Sequence, residues 1–248
     1  MSIPVILDTD IGDDIDDALA LALICACPEL ELRGVTTVYG NVLARARQAR
    51  TVLQVAGPKF AKVPVAAGCG ASMASRPNHG VKAYLENMLP NQDSSCLPES
   101  DLPPLDKRHA VTFLIDTIMA GQGDIIPITI GALTNLAAAM VLERRIVAKI
   151  PRLAIMAAEF KKPFAEWNII CDPEAAHIVF SSGIPIQLIT WDIGMTVHFD
   201  QSHVDRLAAS PRPVAQRLSM AIKAWQNAHR NPAHEPMPCL FDPWPSPR

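Results

Sequence analysis

The 248-residue chain has no surplus of basic residues: 22 Lys and Arg stand against 25 Asp and Glu, a formal net charge of −3. That balance leaves no electrostatic footprint for nucleic acid. No apolar run approaches the ~18–20 residues that cross a bilayer, so no membrane partner is expected. No charged leader with a cleavage site precedes the first apolar run, so no signal peptide is expected. None of the six cysteines, Cys25, Cys27, Cys69, Cys96, Cys171 and Cys239, belongs to a C-x-x-C pair. Without a secretory signal they are expected as reduced thiols, which points to the cytoplasm. Internal repeats, low-complexity tracts and linkers are absent too, so residues 1–248 read as one domain.

What the chain has in abundance is aspartate at one place. Val5-Ile6-Leu7 runs into Asp8-Thr9-Asp10-Ile11-Gly12-Asp13-Asp14-Ile15-Asp16-Asp17, and an Ala- and Leu-rich segment follows. This reads as a buried strand, an acidic turn bent at Gly12, and a helix starting near Asp14. Like charges packed together need protonation or a cation. Helix capping accounts for one or two of these carboxylates, not for all of them. Hard oxygen donors at a strand end suit Ca²⁺ or Mg²⁺ rather than Zn²⁺.

The remaining chain alternates strand and helix. Strands are expected over 32–38, 63–67, 125–130, 153–157 and 185–191. Helices are expected to about residue 27 and over 42–56, 107–120 and 211–229. Asp172, Pro173 and Gly183 frame another helix, and Asp200 caps one more. This pattern predicts an α/β fold: an open, mostly parallel sheet with helices on both faces. Ligands in such folds bind beyond the carboxyl ends of the strands. The acidic turn and Asn41 both fall there. Residues 68–105 read as a long loop, of the kind that often carries function. Gly131 permits a close backbone approach after the fourth strand, and Thr134 reads as the N-cap of the next helix. Glu166 and Asn168, two apart, face one way if that segment is extended. Trp191 and Trp225 read as core residues or as stacking platforms for an aromatic ligand.

Asp8-Thr9-Asp10 with Ile15-Asp16-Asp17-Ala18 resembles the signature of the inosine–uridine nucleoside hydrolase family, in a form with two extra residues between the two acidic pairs. Further matches follow in order. Gly34 to Asn41 resembles the family's second strand. Asn78-His79-Gly80 resembles its His-Gly element, and Gly131 to Leu136 its GPLTN turn. Glu166-Trp167-Asn168, continued through Cys171 to Ala176, resembles its ribose-binding element. Phe241-Asp242-Pro243 resembles its HDP element.

The resemblance implies a Ca²⁺-dependent hydrolase of the purine and pyrimidine salvage type. It splits the N-glycosidic bond of a small-molecule ribonucleoside into ribose and free base. It implies Asp10, Asp17, Asp242 and the Thr134 carbonyl as metal ligands, with Asp10 also the catalytic base. It implies Asp16, Asn41, Glu166 and Asn168 on ribose, His79 on substrate, and Asp8 orienting the ligands. Related proteins are commonly dimers or tetramers, so a homo-oligomer is compatible.

Three departures stand out. Phe160 occupies a position where many members carry Asn. Phe241 replaces the His that serves some members as leaving-group acid, a role that would pass to His79, Cys239, His229 or His234. Family chains also run further, so the C-terminal elements are expected to be missing and activity impaired. Two rival readings follow. One is a metal- and riboside-binding homologue with weak turnover or none. The other is a Mg²⁺ phosphohydrolase of the haloacid dehalogenase type. That type needs a Lys and a final acidic pair, which the chain does not offer convincingly.

Overall fold

A computed structural model describes residues 2–74, 87–229 and 236–242. Its centre is a six-stranded sheet: β1 (Ile3–Thr9), β2 (Leu30–Thr37), β3 (Val65–Ala67), β4 (Ile126–Thr129), β5 (Leu153–Met156) and β6 (Ile186–Ile189). The order is β3-β2-β1-β4-β5-β6, and every pair is parallel. The chain builds outward from β1 in one direction, then restarts at β4 on its other side. β1 and β4 therefore flank the point where the winding reverses, the place where ligands bind in such sheets.

The central strand feeds two cores, because successive side chains point to opposite faces. Val5 and Leu7 pack on one face with α1 (Asp16–Ala26), α2 (Val42–Ala56), α8 (Gln201–Ala209) and α9 (Pro213–Ala228). Ile6 packs on the other with α3 (Ala110–Ala120), α4 (Thr134–Leu142) and α6 (Pro173–Phe180). The alternation repeats in β5, where Ala154 and Met156 join the first core and Leu153 and Ile155 the second. Among the described residues, no helix is long and apolar enough to cross a membrane.

Local signals set most of the boundaries. Asp172 caps α6 by accepting from Ala175 N at 3.0 Å, with Pro173 at the first helical position. Asp200 and His203 form a reciprocal capping box at the start of α8. Four expectations need correction. α1 begins at Asp16, with Ile15 as N-cap, so Asp14 belongs to the turn. Residues 166–168 are not extended, because Glu166 is the N-cap of the short α5 (Trp167–Cys171). Thr134 is the first residue of α4, and Leu133 is its N-cap, with no side-chain cap. The sixth strand stops at Ile189, and Trp191 opens α7 (Trp191–Gly194). Among the described residues, the long 68–105 segment carries 3-10 turns at Asp93–Ser95 and Glu99–Asp101.

Candidate active site

The carboxyl end of β1 is held before it reaches solvent. Asp8 is 2% exposed. Its Oδ1 accepts from Thr36 Oγ1 at 2.6 Å and from Asn135 Nδ2 at 2.8 Å. Asn135 also donates to Thr37 O at 3.0 Å and accepts from Cys69 N at 2.9 Å, so one amide joins the ends of three strands. Asp8 Oδ2 has no hydrogen-bond partner among the described residues. Burial pushes the Asp8 carboxyl up to about 7, against the lowering effect of Thr36 and Asn135.

Beyond Asp8 the chain opens into a cleft of about 510 Å³. Asp10, Asp16, Asp17 and Asp242 line it together. Asp16, Asp17 and Asp242 are buried, and each offers a carboxylate oxygen within 4.8 Å of the others. Asp16 and Asp17 arrive on the first turn of α1, where the helix dipole favours negative charge. Thr9 Oγ1 donates to Asp17 Oδ1 and accepts from Ile11 N at 3.1 Å, which fixes the turn against the helix. Asp242 arrives from the far end of the sequence. Its segment is pinned by the antiparallel bridge of His198 and Cys239, with Leu240 N donating to Val197 O at 2.8 Å.

Three buried carboxylates this close repel one another strongly. Desolvation first, then repulsion from neighbouring carboxylates, Asp10 among them in each case, raises Asp16, Asp17 and Asp242 well above the ordinary carboxylate range. Burial also raises Asp10, to about 6, while the Arg45 charge pulls it down. Arg45 is 4% exposed. It donates to the carbonyls of Asp10, Ile11 at 3.2 Å and Tyr39 at 2.6 Å, and pairs with Asp13 Oδ2 at 2.7 Å. Its charge is therefore engaged by the acidic turn, and its pull on Asp17 is outweighed by desolvation and by the neighbouring carboxylates. The donor set is all oxygen, anionic and convergent, which fits a hard divalent cation.

The opposite wall comes from the segment after β5. Glu166 accepts from Asn168 N at 3.0 Å, Ala158 N at 3.2 Å and Ile169 N at 3.3 Å. Asn168 Nδ2 donates to Ile130 O and Met156 O, each at 3.1 Å. With both N–H groups engaged, Asn168 Oδ1 is the atom left to meet a ligand hydroxyl. Two non-glycine residues hold left-handed backbone at these strand ends, Tyr39 (φ 65°) and Ala158 (φ 68°). Strain of this kind clusters at functional sites. Trp167, Trp191 and Phe241 complete the cleft, with Phe241 stacked on Trp191 at 6.0 Å and 18°.

The structure thus brings Asp10, Asp16, Asp17, Glu166, Asn168 and Asp242 to one cleft. Asn41 is not on its wall: the Asn41 Oδ1 accepts from Ala44 N at 3.1 Å and caps α2. Thr134 is not on the wall either, and its hydroxyl donates to Asp172 Oδ2 at 2.7 Å. The turn before it does touch the site, because Gly131 packs against Asp10. His79 and His234 lie outside the described residues. Phe160 is 75% exposed, while Trp225 is buried. Arg45 and Tyr39 were not anticipated. An Arg inside an amphipathic helix carries no local signal of burial, and a strained Tyr shows only in the backbone.

Comparison with known proteins agrees with this geometry. The family model for the inosine–uridine preferring nucleoside hydrolases matches residues 5–245. The chain is 35% identical over 236 residues to the inosine–uridine preferring nucleoside hydrolase of Leishmania major, covering 91% of this chain and 73% of the relative. It is 31% identical over 238 residues to a pyrimidine-specific ribonucleoside hydrolase of Photobacterium profundum, covering 94% and 74%. A solved plant nucleoside hydrolase superposes with a TM-score of 0.82 at 28% identity, covering 98% of this chain and 77% of that one. With its fold, its acidic cleft and its sequence all pointing the same way, the chain belongs to the inosine–uridine preferring nucleoside hydrolase family.

Proposed function

We propose that the chain hydrolyses the N-glycosidic bond of ribonucleosides, releasing ribose and a free base. The observation that carries this reading is the meeting of Asp10, Asp16, Asp17 and Asp242 with Asn168 and Glu166 across one cleft. Asp16, Asp17 and Asp242, with Asp10 beside them, would hold a divalent cation, and Ca²⁺ suits their oxygen donors. When bound, the cation supplies Lewis acidity and neutralises the acidic cluster.

The chain's own residues do the rest. The Asp10 carboxylate takes the proton of the water that attacks C1′. Asn168 Oδ1 accepts from a ribose hydroxyl and orients the ring. Glu166 keeps Asn168 in place through the α5 cap. Departure of the base leaves an oxocarbenium-like sugar, as in other glycoside hydrolyses. The carboxylates that line the cleft favour that developing positive charge.

A decisive assay follows free base released from inosine and uridine, with and without exhaustive chelation. Base release that is lost on chelation and restored by Ca²⁺ is expected. Full activity after chelation overturns the cation reading. Phosphate release from phosphomonoesters without base release overturns the glycosidase reading.

A further inference from the structure

A purine or pyrimidine leaves poorly as an anion, so its departure is helped by a proton donor. The position that serves some relatives is Phe241 here, and its ring forms a wall against Trp191. Among the described residues that line the cleft, the other candidates are already engaged. Burial holds the Tyr39 hydroxyl far above its ordinary range. Glu166 accepts several backbone N–H groups. Arg45 is tied into the acidic turn. One imidazole remains, His229, at the end of α9.

Resting on the hydrolase reading above, we propose that His229 is the acid that protonates the departing base. Its Nδ1 lies 2.9 Å from Trp225 O. A carbonyl only accepts, so Nδ1 carries a hydrogen in either charge state, and the exchangeable proton sits on Nε2. The ring packs on the Trp225 indole at 5.1 Å, which limits its rotation. The acidic turn, with Asp13 and Asp14, lines the same cleft as His229.

The step balances without a further reactant. The C1′–N bond breaks and its electron pair goes to the base. Nε2–H gives its proton to that base. The water oxygen bonds to C1′ and its proton passes to Asp10. Both side chains then return to their starting states by exchange with solvent.

The test compares leaving groups in the full chain. In His229→Ala and His229→Gln, inosine and uridine turnover should fall about 100-fold, while a nitrophenyl riboside, whose anion needs no acid, should stay within about twofold of the parent. An unchanged inosine rate overturns the assignment. An equal fall for both substrates also overturns it, because it marks His229 as structural. If the parent releases no base from any ribonucleoside, the hydrolase reading fails and this one with it. If the parent is active and the variants keep its rate, only the His229 assignment fails.

Discussion

Replacing Gly131 by alanine isolates the support of Asp10 from its chemistry. A Cβ at that position would lie 2.8 Å from Asp10 Oδ1, 2.9 Å from Asp10 N and 2.9 Å from Val38 Cγ1. Ordinary carbon contacts begin at 3.4 Å, so the neighbours must yield by about half an ångström. Val38 is fully buried and the Asp10 nitrogen is backbone, so neither gives way cheaply. Overpacking of this kind costs ~1–3 kcal/mol. For a chain of this length that corresponds to a melting temperature lower by ~2–12 °C. Since a 1 Å misplacement of a catalytic group can cost ~100-fold, half of that should lower kcat about tenfold. The assay is a thermal melt together with kcat on inosine, measured well below the melting transition. A lower melting temperature with unchanged kcat would show that the turn does not hold Asp10 in its working position. Wild-type values for both would refute the close approach altogether.

Asp242→Asn should weaken Ca²⁺ binding in calorimetry by removing one anionic oxygen from the trio, and unaltered affinity would remove Asp242 from the ligand set. Asn168→Ala should reduce kcat/KM by ~1–3 kcal/mol through a lost ribose partner, with no loss if the sugar binds elsewhere. The 2′-deoxynucleosides should be poor substrates, and rates equal to those of the ribonucleosides would argue against a diol in the site. In chelator, stability should depend on pH through the raised carboxyls. Asp8 titrates at about 7 folded against 3.8 as its ordinary value. Its contribution is therefore complete below the ordinary value and is lost as pH rises through about 7. The metal-free protein should melt at a higher temperature at pH 6 than at pH 8, and a melt that falls on acidification across that range contradicts the burial of Asp8.

The parts of this fold that could be read from sequence were those whose signals are local. An apolar run ending in carboxylates fixed β1 and its turn, and Asp172-Pro173 fixed the start of α6. The alternation of strand and helix gave the parallel sheet. What escaped were features that depend on neighbours distant in sequence. Glu166 and Asn168 do meet across Trp167, but through a helix cap, because a spacing of two fits either an extended strand or an N-cap. Thr134 looks like a cap, yet its hydroxyl goes to Asp172, 38 residues on. Asn41 resembles a ligand residue, while the start of α2 uses its side chain as a cap. Arg45 could not be placed, since nothing beside it in sequence distinguishes a buried guanidinium from a solvated one.

Asp16 and Asp17 lie near the start of the chain and Asp242 far along it, and this separation sets the order in which the site can come into being. During synthesis the acidic turn emerges first, and Arg45 follows closely enough to brace it. Until residue 242 has been made, the turn and its helix offer an ion only part of its coordination. On the proposed ligand set, a nascent chain would lack one of the three carboxylates until residue 242 had been made. An ion held by the proposed trio would clasp an early segment of the chain to a late one.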